Sequence, residues 1–168
     1  MERDEGEIQA FVAARQQALY RSAYLLCGDR HEAEDLVQAT LVKVILGWRR
    51  LKGLDNVDAY ARRTMVNTFI SSRRRFWRRE QAFAEVPEVV AAEHDAVVGF
   101  AVRAALAALP VKQRAVLVLR YWEDLSVATT ADLLKMPEST VRSHAARGIA
   151  TLRKVLPRDS HEFQGEWA

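Results

Sequence analysis

Residues 126–156 read SVATTADLLKMPESTVRSHAARGIATLRKVL. Ser126 is placed to cap a short helix that carries Val127, Ala131 and Leu134 at helical spacing, and Lys135-Met136-Pro137 leaves room only for a tight turn before the next helix, Glu138 to Leu156. In that last helix Val141, Ala145, Ile149, Leu152 and Leu156 form an apolar stripe. The opposite side of its leading end carries Ser139, Thr140, Ser143 and Arg147, with Arg142 and His144 on the flanks. Two helices joined by three residues make the pattern of a helix-turn-helix. Small hydroxyl residues and arginines at the leading end suit a helix that enters the major groove, where its amides and dipole meet phosphate. A purely structural hairpin has the same spacing, so the pattern alone leaves both readings open.

Working backward, Val98, Val102, Ala105, Leu106 and Leu109 predict a helix stopped by Pro110, which also starts the next, Val111 to Trp122, before Glu123-Asp124-Leu125 turns the chain. The first half of the chain predicts three more helices. Residues 5–26 place Ile8, Phe11, Val12, Leu19, Ala23 and Leu26 at helical spacing, and Cys27-Gly28-Asp29 ends the helix. In the second, Arg30 to Trp48, Val37, Leu41, Val44, Ile45 and Trp48 fill one face while Ala39, Val42 and Leu46, flanked by Asp35 and Gln38, fill another. A helix apolar on two faces needs two things to bury it: either a third helix of the chain covers the second face, or another protein does.

Leu51 to Asn56 reads as a loop in which Asp55 or Asn56 caps a third helix, Val57 to Arg79. Around that helix Ala61, Met65, Val66, Phe69 and Ile70 take one half of the wheel, and Tyr60, Arg63, Thr64, Asn67, Ser71 and Arg74 the other. The polar half runs into Arg73, Arg74, Arg75, Arg78 and Arg79, interleaved with Phe76 and Trp77. Guanidinium groups pair with phosphate and aromatic faces stack on unpaired bases, so this side reads as a nucleic-acid surface; the alternative is a solvated helix face.

Charge follows the same division. Residues 1–79 hold 15 Lys and Arg against 10 acids, residues 80–98 five acids and no Lys or Arg, and residues 99–168 10 Lys and Arg against seven acids. Two basic modules joined by an acidic connector suit a polyanionic partner. At 168 residues a large multi-domain enzyme is excluded, and only seven Gly and four Pro, with abundant Ala, Leu, Val and Arg, disfavour an all-β sandwich or barrel and point to helices. The expected fold is all-α: two small helical domains joined by an acidic linker. The single Cys27 forms no internal disulfide, the start is acidic rather than that of a signal peptide, and no apolar run approaches a bilayer span, so a soluble cytoplasmic protein with no membrane association is expected. No metal cluster and no cofactor motif is evident.

The residues resemble a known family. The stretch Ala18 to Asp29, then Ala33-Glu34-Asp35-Leu36-Val37-Gln38, Asp58 to Asn67 and the arginine run are similar to region 2 of the extracytoplasmic-function (ECF) sigma factors of bacterial RNA polymerase. Leu106 to Pro110, Gln113-Arg114, Arg120-Tyr121-Trp122 and Ser139 to Arg147 resemble region 4. The resemblance implies region 2 in residues 1–79, an acidic linker in 80–95, region 4 in 96–157 and a tail in 158–168. It also implies a binding protein without catalytic chemistry, whose partners are the polymerase core, promoter DNA and an anti-sigma factor.

By the same resemblance Asp35, Gln38, Ala39, Val42 and Leu46 dock on the core. Asp55, Asn56, Tyr60, Arg63, Thr64, Asn67, Ser71, Arg74 and Trp77 serve the minus-ten element, with Asn67 matching a base-contact position and the 51–56 loop a flipped-base pocket. Ser139, Thr140, Arg142, Ser143, His144 and Arg147 serve the minus-thirty-five element. Two departures stand out: Lys135 replaces a frequent turn Gly, with a strain of about 1 kcal/mol if its φ is positive, and Ala128, Thr129 and Thr130 replace frequent acids.

A stand-alone dimeric repressor would explain residues 99–168 but leave the Tyr60 to Arg79 face unused, and no dimerisation coiled coil is evident. An enzyme would need a motif, and no phosphate loop, His-Glu-x-x-His or Gly-x-Ser-x-Gly occurs.

Overall fold

Gly28 turns the chain between the first two helices with φ 71°, and its N–H donates to the Tyr24 carbonyl at 2.9 Å. A left-handed residue at this point closes α1 (Glu2–Cys27), and Asp29 at once opens α2 (Arg30–Leu51) by accepting from the Glu32 N–H at 2.9 Å. The computed structural model describes residues 1–52, 57–80 and 96–156, without the side chains of 74–80 and 96–98. The predicted cap at Asp55 or Asn56, the linker and the tail lie outside the described residues. The chain divides after Arg78 into two compact units.

In the first unit α1 and α2 form an antiparallel hairpin, with the Phe11 ring of α1 meeting Trp48 of α2 at 5.6 Å between centroids. α2 runs one turn past the predicted end at Trp48. No breaker intervenes before Gly53, Arg49 and Arg50 suit the negative end of the helix, and burial of Leu51 favours the added turn. α3 (Val57–Glu80) returns alongside: Asp58 meets Arg15, Thr68 accepts from Lys43, and Arg73 reaches Glu32 and the Cys27 carbonyl. The core is Leu19, Ala23 and Leu26 from α1, Leu36, Val37, Leu41, Val44 and Trp48 from α2, and Ala61, Met65, Val66 and Phe69 from α3. Thr40 is fully buried, its hydroxyl satisfied by the Leu36 carbonyl at 2.8 Å. Ile45, assigned to the buried face by its spacing, is 42% exposed: it sits at the edge of the stripe, on the side that turns away from α1 and α3.

The second unit holds α4 (Ala96–Ala107), α5 (Val111–Leu117), α6 (Val127–Leu134) and α7 (Glu138–Val155). The helix predicted to run unbroken from Val111 to Trp122 changes character at Val118, where a π-helical turn spans Val118–Trp122 and the Glu123 N–H reaches back to the Val118 carbonyl at 3.0 Å. Asp124 then takes a positive φ of 52° to complete the turn. Arg114, nearly buried, donates to the carbonyls of Ala107 and Leu109 at 3.2 Å each and so satisfies the end of α4. Ser126 caps α6 as predicted, accepting from the Thr129 N–H at 3.0 Å. Lys135 does adopt the left-handed conformation, φ 52° and ψ 50°, and the Met136 N–H closes a Schellman-type bond to Ala131 at 3.1 Å. Of the predicted α7 stripe, Val141, Ala145 and Leu152 are buried; Gly148 is buried beside them, while Ile149 is only half-buried.

Candidate nucleic-acid and partner interfaces

The second apolar face of α2 is not covered by α3. Val42 is 52% and Leu46 81% exposed, and Ile45 joins them; Asp35 and Gln38 are exposed at the N-terminal end of the strip and Ala39 is half-buried within it. Spacing of three and four residues puts this set on one side of the helix, with Val37, Leu41 and Val44 buried on the other. Burying a Val or Leu side chain is worth about 1.5–3 kcal/mol, so Val42 and Leu46 together leave a large unspent contribution on the surface.

α3 separates its two halves as its pattern predicts. Tyr60, Arg63, Asn67 and Ser71 are exposed and Thr64 is half-buried beside them, while Ala61, Met65, Val66 and Phe69 pack inward. Backbone periodicity carries this polar face on to positions 74 and 77; the side chains of Arg74 and Trp77, like residues Asp55 and Asn56, lie outside the described residues. Arg73 leaves the predicted arginine cluster. Its Nη2 lies 2.5 Å from Glu32 Oε2 and 3.2 Å from the Cys27 carbonyl, and its guanidinium carbon stands 5.6 Å from the Phe69 ring centroid. Arg73 therefore ties α3 to the α1–α2 turn instead of facing a ligand. A signal for this was present in the sequence: Arg73 stands four residues after Phe69, on the apolar stripe.

On α7, Ser139, Arg142, Ser143 and Arg147 are exposed and Thr140 and His144 half-buried, opposite buried Val141, Ala145 and Gly148. Arg142 pairs with Glu138 one turn earlier at 3.2 Å, both exposed, so this contact is weak and readily exchanged for phosphate. Burial of His144, helped by the positive charges of Arg147 and of Lys112 on α5, holds its imidazole below the ordinary histidine range. Its Nδ1 is buried with no hydrogen-bond partner. Sequence reading missed Lys112, because nothing local links position 112 to position 144.

Among the described residues no group of three or more His, Cys, Asp or Glu is placed to hold a metal ion, and no helix is long and apolar enough to cross a membrane. The geometry is that of binding surfaces: an apolar strip on α2, a polar aromatic-bearing face on α3 and a basic hydroxyl-bearing face on a helix-turn-helix.

Comparison with known proteins gives these surfaces their class. The model for Sigma-70 region 2 matches residues 11–79 and that for Sigma-70 region 4 matches residues 99–152. The chain is 39% identical over 157 residues to the RNA polymerase sigma-E factor of Streptomyces coelicolor, covering 89% of this chain and 86% of that protein. It is 35% identical to the ECF RNA polymerase sigma factor SigE of Mycolicibacterium smegmatis, over 86% of this chain and 59% of that one. In fold it is similar to the sigma factor RpoE solved with the anti-sigma factor NepR from Bartonella quintana, with TM-score 0.76, 24% identity, and 91% of this chain and 98% of that one covered. CnrH, solved with the cytosolic domain of CnrY, follows at TM-score 0.62 and 20% identity, with 93% and 91% covered.

Two helical modules carrying sigma regions 2 and 4 define a sigma-70-type initiation factor. The chain belongs to the ECF RNA polymerase sigma factors, and as a member it serves promoter-specific transcription initiation with RNA polymerase.

Proposed function

We propose that the first unit, within residues 1–79, docks on the polymerase core through Asp35, Gln38, Ala39, Val42 and Leu46, with Ile45 added, and reads the minus-ten element with Tyr60, Arg63, Thr64, Asn67, Ser71, Arg74 and Trp77 together with Asp55 and Asn56. The second, within 96–157, reads the minus-thirty-five element with Ser139, Thr140, Arg142, Ser143, His144 and Arg147, and residues 80–95 connect them. The exposed strip centred on Val42 and Leu46 carries this reading, because an apolar face left open between two polar ones calls for a protein partner. The protein works in the cytoplasm by binding alone, with no catalytic step of its own. An anti-sigma protein is a further partner, supported by the complex in which the sigma factor RpoE was solved with the anti-sigma factor NepR.

The experiment mixes the purified chain with bacterial core polymerase and asks for co-elution and for discrete run-off transcripts from genomic DNA fragments. Discrete start sites that depend on the chain support the reading; failure to co-elute with core overturns it.

A further inference from the structure

α1 grips the corner between α2 and α3 at two separate points. Lys52, the C-cap of α2, donates from Nζ to Asp4 Oδ1 at 2.5 Å, and Arg15 Nη2 lies 2.5 Å from Asp58 Oδ2 in the first turn of α3. Asp4 and Arg15 are about 16 Å apart along α1 at 1.5 Å per residue. The hydrogen bond from Lys52 holds the Asp4 carboxyl below its ordinary range against the opposing effect of partial burial. Between the two grips the Phe11 ring meets Trp48, and α2 and α3 come close where the Tyr60 hydroxyl stands 3.8 Å from the place a Cβ on Gly47 would occupy.

The polarity of the two pairs matters more than their individual strength. α1 offers an acid to the end of α2 and a base to the start of α3. Sliding α1 along the corner brings Arg15 toward Lys52 or Asp4 toward Asp58, and either move sets like charges together. A lone exposed ion pair holds little, but two of opposite sense select one register. Nothing in the DNA-reading or core-docking surfaces uses these four residues.

We infer that the Asp4 to Arg15 stretch of α1 is a brace whose two ion pairs, Asp4–Lys52 and Arg15–Asp58, position the Tyr60 to Asn67 face for single-stranded promoter DNA. The inference rests on the minus-ten reading proposed above. Asp4, Arg15, Lys52 and Asp58 are positioning residues and do not touch the DNA.

The test uses the full chain assembled with core polymerase on a forked promoter fragment, taken from a start site mapped by run-off transcription, with 2-aminopurine in the minus-ten non-template strand. The variant is Asp4→Lys with Arg15→Glu, which reverses the charge on the α1 side of each pair, makes both contacts like-charged and keeps the net charge, so long-range attraction to DNA is unchanged. The expected result is a roughly three- to tenfold weaker 2-aminopurine response, with core co-elution and the thermal midpoint retained and with Asp4→Glu, Arg15→Lys behaving as the parent. The parent's advantage should also shrink as salt is raised. An undiminished response, or an equal loss of core binding and DNA response in a folded variant, overturns the brace. If the reversed chain does not fold, Asp4→Asn with Arg15→Gln decides by the same readouts. No response from the parent itself means that the minus-ten reading has failed, and the brace falls with it.

Discussion

Gly148 of α7 lies directly against Leu117 of α5: a Cβ at position 148 would stand 2.8 Å from Leu117 Cδ1 and 3.1 Å from its Cγ. Leu117 is itself almost fully buried, so it would have to shift within a packed core. The absent side chain lets the recognition helix approach α5, so a glycine that costs helix propensity is retained for packing.

Gly148→Ala therefore loses more than it gains. Helix propensity favours Ala by about 1 kcal/mol, and overpacking a filled core costs about 1–3 kcal/mol. A net destabilisation of about 1 kcal/mol is expected in urea unfolding, and a bulkier Val should cost more; a stabilised Ala variant would show that Leu117 can yield.

Val42→Asp puts a charge in the middle of the exposed α2 strip. Since Val42 is half exposed, the isolated variant should melt cooperatively near the parent temperature. Loss of a contact worth about 1.5–3 kcal/mol, with a carboxylate added, should cut core affinity more than about tenfold. Unchanged affinity by co-elution or titration would remove Val42 from the interface.

Asn67 is exposed on the polar face of α3, one turn from Arg63 and Ser71. Asn67→Ala should leave core binding intact and slow open-complex formation, measured by permanganate reactivity of the melted strand. Equal loss of both would assign Asn67 to folding instead.

Arg142 and Arg147 are exposed on α7, where Arg142 forms a weak pair with Glu138. Changing both to Ala should lower the salt slope of promoter binding by about two and reduce promoter selectivity. A slope equal to that of the parent would place both away from the DNA.

The depressed basicity of His144 gives a pH signature. Its folded value lies below the ordinary 6.5, so the unfolded chain takes up the proton first and the stability of the second unit falls as pH drops through 6.5. A DNA phosphate beside His144 acts in the opposite sense by favouring the protonated ring. Affinity of the polymerase complex for promoter DNA should then rise a few-fold between pH 8 and pH 6, and His144→Gln should flatten that dependence. An identical pH profile in the variant would place His144 outside the phosphate contacts.

Much of this was legible before the fold was known. The cap at Ser126, the tight turn at Lys135, the second apolar face around Val42 and Leu46, and the polar face from Tyr60 to Ser71 all follow from spacings of one to four residues, which a helix converts directly into faces and ends. Chemistry and periodicity named the surfaces, and resemblance to sigma regions 2 and 4 gave them roles.

What the sequence could not place are relationships between residues far apart along the chain. Arg73 looks like one more surface arginine until Glu32 and the Cys27 carbonyl are brought beside it, and Ile45 belongs to the buried stripe until the position of α3 leaves it outside. The π-helical turn at Val118, Lys112 near His144, Gly148 under Leu117 and the two grips of α1 have the same origin. The sequence by itself determined which segments are helices and which side of each is apolar, because the 3.6-residue repeat is a local property of the backbone. Only the tertiary structure decided which charges pair and which faces remain open, because these depend on how the helices cross, and a crossing is set by packing between residues that the chain itself keeps tens of positions apart.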